Sequence, residues 1–224
     1  MSSPLPSGET LCLLASALVY PQPETSEGRA ELLTNLGTWH PEAAASMRKH
    51  LDALGDSSLY KQQERYAATF DVNPAVCLYV GYHIFGDSYP RGVFMARLAG
   101  EYERVGFACE QELPDHVPMV LRYLARPDAL DAVELVDDAV VPALRTIVKA
   151  FAETTNPYAP LLETVLLTLE RPENAEKLDD ADSRTAKRRT LALPVFSSRD
   201  DRAFKPSPEA AAMIASRPRE GTKQ

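Results

Sequence analysis

The sequence predicts an all-α protein, a single-domain helical bundle of about seven to nine helices with a poorly structured basic C-terminal tail. Three observations predict it. Apolar residues recur at i, i+3 and i+4 as far as Arg171, the spacing of helices that bury one face. Proline and glycine fall between these periodic runs, where helices start and stop. Past Arg171 the periodicity dissolves into charge and proline. The helical domain is accordingly placed at residues 8–171. Residues 172–224 are read as a charged linker and basic tail, expected to be flexible.

The first helix carries Leu11, Leu14, Ala15, Leu18 and Val19 on one face, and Pro21 and Pro23 end it. No basic region precedes this apolar run, so it reads as a buried helix rather than a signal peptide. Weaker helices follow at 27–36 and 41–54, closed by Gly37 and Gly55. Residues 58–70 bring Leu59, Gln62, Gln63, Tyr66 and Phe70 to helical spacing. The apolar run 76–85 fits a short strand or a buried helix by pattern alone, and its helical surroundings favour a helix. Gly86, Asp87 and Ser88 form a turn. Ser88 or Asp87 is placed to cap a helix whose first turn holds Pro90. In that helix Phe94, Leu98, Tyr102 and Val105 make an apolar stripe that stops at Gly106. The stretch ELPDHVPMVLRYLA (112–125) opens the next one, with Val117, Val120, Leu121 and Leu124 on one face. Asp128 is the expected cap of the following helix, which runs to about Phe151 and is kinked or broken near Pro142. The last helix carries Leu161, Leu162, Val165, Leu166 and Leu169, with Pro160 in its first turn.

Composition narrows the function. A length of 224 residues suits one domain with a real core, and 45% hydrophobic with 25% charged residues is ordinary for a globular chain. No apolar run is long enough for membrane insertion. Cys12, Cys77 and Cys109 are odd in number and widely spaced, which speaks against a disulfide framework and for a reducing cytoplasm. The net charge of −8 argues against general nucleic-acid binding. That figure hides an asymmetry: from Arg184 onward there are ten Lys/Arg and four Asp/Glu, so the body is strongly acidic and the tail basic. An acidic body favours encounter with cationic partners.

Catalytic signatures are sparse. There is no GxGxxG, P-loop, GxSxG or HExxH, and no cofactor motif. His40, His50, His83 and His116 are scattered, without the i, i+4 pairing of a metal-binding helix, so neither a metal nor a catalytic residue is assigned. Glu112, Asp115 and His116 stand together in ELPDH, which admits three readings: an acid–base pair, half a metal site or a helix start. The helix start is favoured. Asp115 at the N-cap would accept the free amides of the first turn, with Glu110 and Glu112 adding negative charge near the positive helix end. A loop held by its own cap would also present His116 and Glu112 rigidly.

Taken together, RYAATFD (65–71), HIFGDSYPRG (83–92), Tyr102 with Gly106, and ELPDHVPMVLRYLA resemble the redox-enzyme maturation chaperones of the nitrate reductase delta-subunit (NarJ/TorD-like) family. The resemblance covers about residues 8–170. It implies an all-helical cytoplasmic chaperone without catalytic activity and without a stably bound cofactor. The implied partner is the catalytic subunit of a DMSO-reductase-type molybdoenzyme, held through its N-terminal leader until molybdenum bis-MGD (molybdopterin guanine dinucleotide) is inserted. In exported enzymes that leader is a twin-arginine signal. The nitrate reductase branch carries a Glu before the first His of this motif and a second His after it. Here those positions are Tyr82 and Phe85, which points to a client related to nitrate reductase and moves the acidic contact to Asp87 or Glu112.

A leader pairs a basic segment with an apolar, helix-prone one, so a groove with acidic margins suits it. Tyr66, Phe70, Tyr82, Phe85 and Tyr102 are the candidate groove walls, and Asp71, Asp87, Glu112 and Asp115 the acidic candidates. His83 and Arg91, from the HIFGDSYPRG motif, and His116, as a polar anchor at the rim, complete the set. The segment KRRTLALPVF (187–196) imitates a leader and is a candidate pseudo-substrate, in cis or in a domain-swapped dimer. The competing functions are an accessory structural subunit of a respiratory molybdoenzyme and a small helical enzyme using His116 with Glu112 or Asp115.

Overall fold

Ser7 opens the first helix: its Oγ accepts the Thr10 N–H at 3.2 Å, and α1 (Gly8–Ala17) then buries Leu11, Leu14, Ala15 and Ala17. The structure, a computed structural model, describes residues 5–109, 112–151 and 155–171. The predicted linker and tail, with the 187–196 segment, lie outside the described residues. After the Pro21–Pro23 break come α2 (Thr25–Gly37) and α3 (Pro41–Leu54). His40 caps α3 through Nδ1, which accepts the Ala43 N–H at 3.2 Å, and Gly55 ends it at φ 53°, where a side chain would be strained. Ser58 caps α4 (Leu59–Phe70), which buries Gln62, Tyr66, Thr69 and Phe70.

The 76–85 run is not one helix. Pro74–Val76 form a 3₁₀ turn, residues 77–79 are extended, and α5 (Val80–Phe85) follows. The extension has a long-range cause. Tyr79 pairs antiparallel with His116, the Val80 N–H donating to Asp115 O and the Val117 N–H to Leu78 O, each at 2.8 Å. The helix reading holds for Val80–Phe85, and the strand reading is met only by the single bridge at Tyr79. Ser88 stands at the N-cap position of α6 (Tyr89–Arg104), but its hydroxyl donates to Phe85 O instead of capping the helix.

One expectation about the next region needs correction. Asp128 does not cap the following helix; it is exposed, beside Arg126, and the N-cap position is Asp131 in the left-handed region at φ 47°. Near Pro142 the regular helix is interrupted, as expected, without being broken. α8 passes from Ala132–Leu135 through a π stretch, Val136–Val140, into Val141–Ala150. In a regular helix the Pro142 ring would press on the carbonyl four residues earlier, and the wider π turn relieves this. α7 (Val117–Leu124) precedes α8, and α9 (Tyr158–Leu169) closes the bundle.

α1 packs against α7 and α2, α3 against α2 and α9, and α5 against α6 and α8. Gly8 permits the first of these contacts, since a Cβ there would lie 2.8 Å from Ala125 O on α7's C-terminal side. Nine helices and no sheet are found among the described residues, and no described helix is long and apolar enough to cross a membrane.

One buried cluster ties the α1 end to four other helices. Arg29 (1% exposed) donates to Gln62 Oε1 at 2.9 Å and Ala17 O at 3.4 Å, and its Cζ sits 5.9 Å from the Tyr158 ring centre. Tyr66 donates to Leu18 O at 3.0 Å. His50, fully buried, donates from Nδ1 to Pro157 O at 2.6 Å and packs on Tyr158. Burial pushes the His50 imidazole down to about 4, with the Arg29 charge acting in the same direction.

Candidate functional site

The two motif-bearing segments meet inside the fold. Arg91, in the first turn of α6, donates from Nε to Asp115 Oδ2 at 2.9 Å and from Nη2 to Oδ1 at 3.3 Å. Asp115 is fully buried and Arg91 7% exposed. The guanidinium also lies 5.4 Å from the Tyr79 ring centre and 5.6 Å from that of Tyr82. Gly81 makes room: a Cβ there would stand 2.8 Å from Asp115 Oδ2, 3.0 Å from Phe94 and 3.2 Å from Arg91 Cγ. Gly81→Ala is therefore expected to lower stability by about 1–3 kcal/mol, read by chemical denaturation. An unchanged midpoint would show that the pair has slack.

This pairing corrects the capping reading of Asp115. The N-cap residue of α7 is His116, without a side-chain cap bond, and the helix start is satisfied by backbone. Leu78 O accepts the Val117 N–H, while His116 O accepts from Met119 and Val120. Asp115 is committed to Arg91, 24 residues upstream, rather than to its own helix or to His116. His116 does not stand at a rim. It is 7% exposed, its ring is 5.3 Å from that of Tyr79, and burial holds its pKa at about 4, so it is neutral at pH 7.

The remaining candidates divide by exposure. Tyr66 and Phe70 pack with Tyr158 at ring separations of 5.7 and 5.2 Å, inside the Arg29–His50 cluster. Phe85 is buried against Phe94. Tyr102, 1% exposed, donates to Pro114 O at 2.8 Å and so braces the ELPDH segment from below. These four are core residues in this fold, not open groove walls. Tyr82 and His83 are half-buried, and His83 Nε2–H donates to Cys77 O at 2.7 Å.

Asp71 and Asp87 are exposed, and Glu112 is half-buried. Tyr79 donates its hydroxyl to Glu112 Oε2 at 3.2 Å, which holds the carboxylate, and Cys109 Sγ donates to the Glu112 backbone O at 3.1 Å. Partial burial and then the neighbouring Glu112 charge raise the Asp71 pKa. Among the described residues no basic side chain forms an ion pair with either of them. Val72, beside Asp71, is 75% exposed, and Tyr89, beyond Asp87, is 85% exposed. The surface thus sets apolar groups next to unneutralised carboxylates. Sequence reasoning missed Tyr79 and Gly81, whose roles come from contacts with residues far along the chain.

The family model described as nitrate reductase delta subunit matches residues 35–163, more than half of the chain. The chain belongs to that family. Its relatives include the nitrate reductase molybdenum cofactor assembly chaperone NarJ of Escherichia coli, 32% identical over 123 residues (53% of this chain, 52% of the relative). A protein of Bacillus subtilis named as a probable chaperone of the same kind is 30% identical over 119 residues (53% and 64%). The chain spans about half the length of the Escherichia coli relative. Among solved structures, a redox enzyme maturation protein from Archaeoglobus fulgidus superposes with a TM-score of 0.50 at 19% identity, over 74% of this chain and 95% of that one. At that identity the likeness bears on the fold, and it agrees with the all-helical bundle described above.

Proposed function

We propose that this delta-subunit family protein is a cytoplasmic maturation chaperone with no catalytic step of its own. It binds the N-terminal leader of a molybdoenzyme catalytic subunit of the DMSO-reductase type and holds the subunit open for insertion of molybdenum bis-MGD. The observation that carries the reading is the Asp71–Glu112 pair, with Tyr79 fixing Glu112 and Val72 exposed alongside. Two neighbouring carboxylates repel each other, and an arriving guanidinium relieves that repulsion. Apolar burial, at roughly 25 cal/mol per Å², sets affinity, while exposed ion pairs of about 0.2–1 kcal/mol set orientation and register. The family match and the names of the relatives support the same reading.

Calorimetry with a synthetic leader tests it. Binding is expected at micromolar or tighter affinity, and Asp71→Asn and Glu112→Gln should each weaken it about two- to five-fold. Absence of a binding signal with folded protein at high peptide concentration would remove the proposal. Affinity untouched by both substitutions would move the site elsewhere.

A further inference from the structure

A cleft of about 460 Å³ opens between the start of α1, the end of α2 and the end of α9, lined by Leu5, Pro6, Trp39, His40, Thr168 and Arg171 among others. It shares no lining residue with the Asp71–Glu112 surface. Its volume falls within the range of about 300–1,000 Å³ that encloses a small ligand or a few side chains. The wall is built, not loose. Trp39 Nε1–H donates to Asn35 Oδ1 at 3.3 Å, and the same oxygen accepts the Thr10 hydroxyl at 2.9 Å. His40 packs edge-on against the indole at 5.5 Å and is itself anchored by a 3.1 Å contact between Nε2 and Leu167 O. Despite this bracing, Trp39 remains 45% exposed, the only tryptophan of the chain.

We propose that this cleft is the docking site of the chain's own segment 191–196, LALPVF. The backbone leaves the described fold at Arg171, which itself lines the cleft and is tied to Asp137. Another 53 residues follow, with two six-residue apolar runs, LALPVF (191–196) and AAAMIA (210–215), and only the first stands close behind a basic cluster. The span from Arg171 to Leu191 can extend about 65–70 Å, so a return to the cleft needs no strain. Tethering at this length keeps the segment at roughly millimolar effective concentration, and a weak contact is then enough to fill the cleft. Charge acts in the same direction. Lys187, Arg188 and Arg189 precede the apolar run, and the exposed Glu9 and Glu42 stand within two positions of the lining residues Thr10 and His40. The device is independent of which client the protein serves, because it uses only residues of this chain.

Trp39 reports on the occupant directly. In the parent protein its fluorescence is expected to be shielded from acrylamide. Val195→Asp/Phe196→Asp, far from the helical core in sequence, should raise the quenching constant at least two-fold and shift emission to longer wavelength, with the helical circular dichroism unchanged. A peptide of residues 187–196 added to that variant should restore the shielding. Equal quenching in both proteins would overturn the proposal. Shielding that fades on dilution would also overturn it, assigning the cleft to a second copy of the chain instead.

Discussion

Asp115→Ala is expected to destabilise the fold by about 3–5 kcal/mol, the largest single-residue effect predicted for this chain. The carboxylate is fully buried and holds both ends of the Arg91 fork. Its removal leaves a guanidinium inside the protein with two tyrosine rings beside it and no counter-charge. For a body of this size, each kcal/mol moves Tm by about 2–4 °C, so a loss on the order of 10 °C follows. The double variant Arg91→Met/Asp115→Leu separates charge from shape. With neither ion present, at least half of the lost stability should return, because buried ion pairs are frequently replaceable by apolar groups of similar volume. Urea denaturation measures both. An Asp115→Ala protein within about 0.5 kcal/mol of the parent would mean that water reaches the pair and that the buried description is mistaken.

Acid is expected to weaken the protein between pH 6.5 and about 4, through His50 and His116. Both imidazoles are lowered to about 4, chiefly by burial, whereas an unfolded histidine titrates near 6.5. The unfolded chain therefore binds more protons throughout that window, and stability falls as pH falls. The full span corresponds to about 3 kcal/mol for each residue, and about 2 kcal/mol of it is already lost near pH 5. His50→Asn keeps a donor for Pro157 O while removing the titration, and Arg29, which faces His50 across the cluster, is left in place. Comparing parent and variant at about pH 7 and about pH 5 cancels the contribution of the carboxylates. If the variant loses as much stability in acid as the parent, His50 is not the titrating group.

Much of the architecture was legible because it rests on local chemistry. α3 could be bounded to the residue, Pro41 to Leu54, since proline at the first position and a left-handed glycine after the last are short-range signals. α9 was legible for the same reason, with Pro160 in its first turn and a strong apolar face behind it. What escaped depends on distant partners. The extended residues before α5 exist only because Tyr79 pairs with His116, and nothing within the 76–85 run announces that. Asp115 obeys every local rule for a cap and is taken instead by Arg91. Arg29 and His50 look like surface residues of ordinary helices, yet they are buried where five segments converge. Of the four acidic candidates, Asp71 and Asp87 are exposed and Glu112 half-buried, as surface charge would suggest, whereas Asp115 is buried against Arg91. The aromatics were not legible, because periodicity cannot tell a groove wall from a core.

The Arg91–Asp115 contact also bears on inheritance. Loss of either residue makes the survivor a liability, so a lineage passes through a weakened intermediate unless both positions change together. Segments linked in this way drift slowly whatever protein they serve. HIFGDSYPRG and ELPDH should accordingly serve as badges of ancestry. The positions free to diverge without such a toll are the outward ones, Asp71, Val72, Asp87 and Tyr89. If the proposed leader-binding reading holds, differences among related proteins in choice of partner are to be sought there.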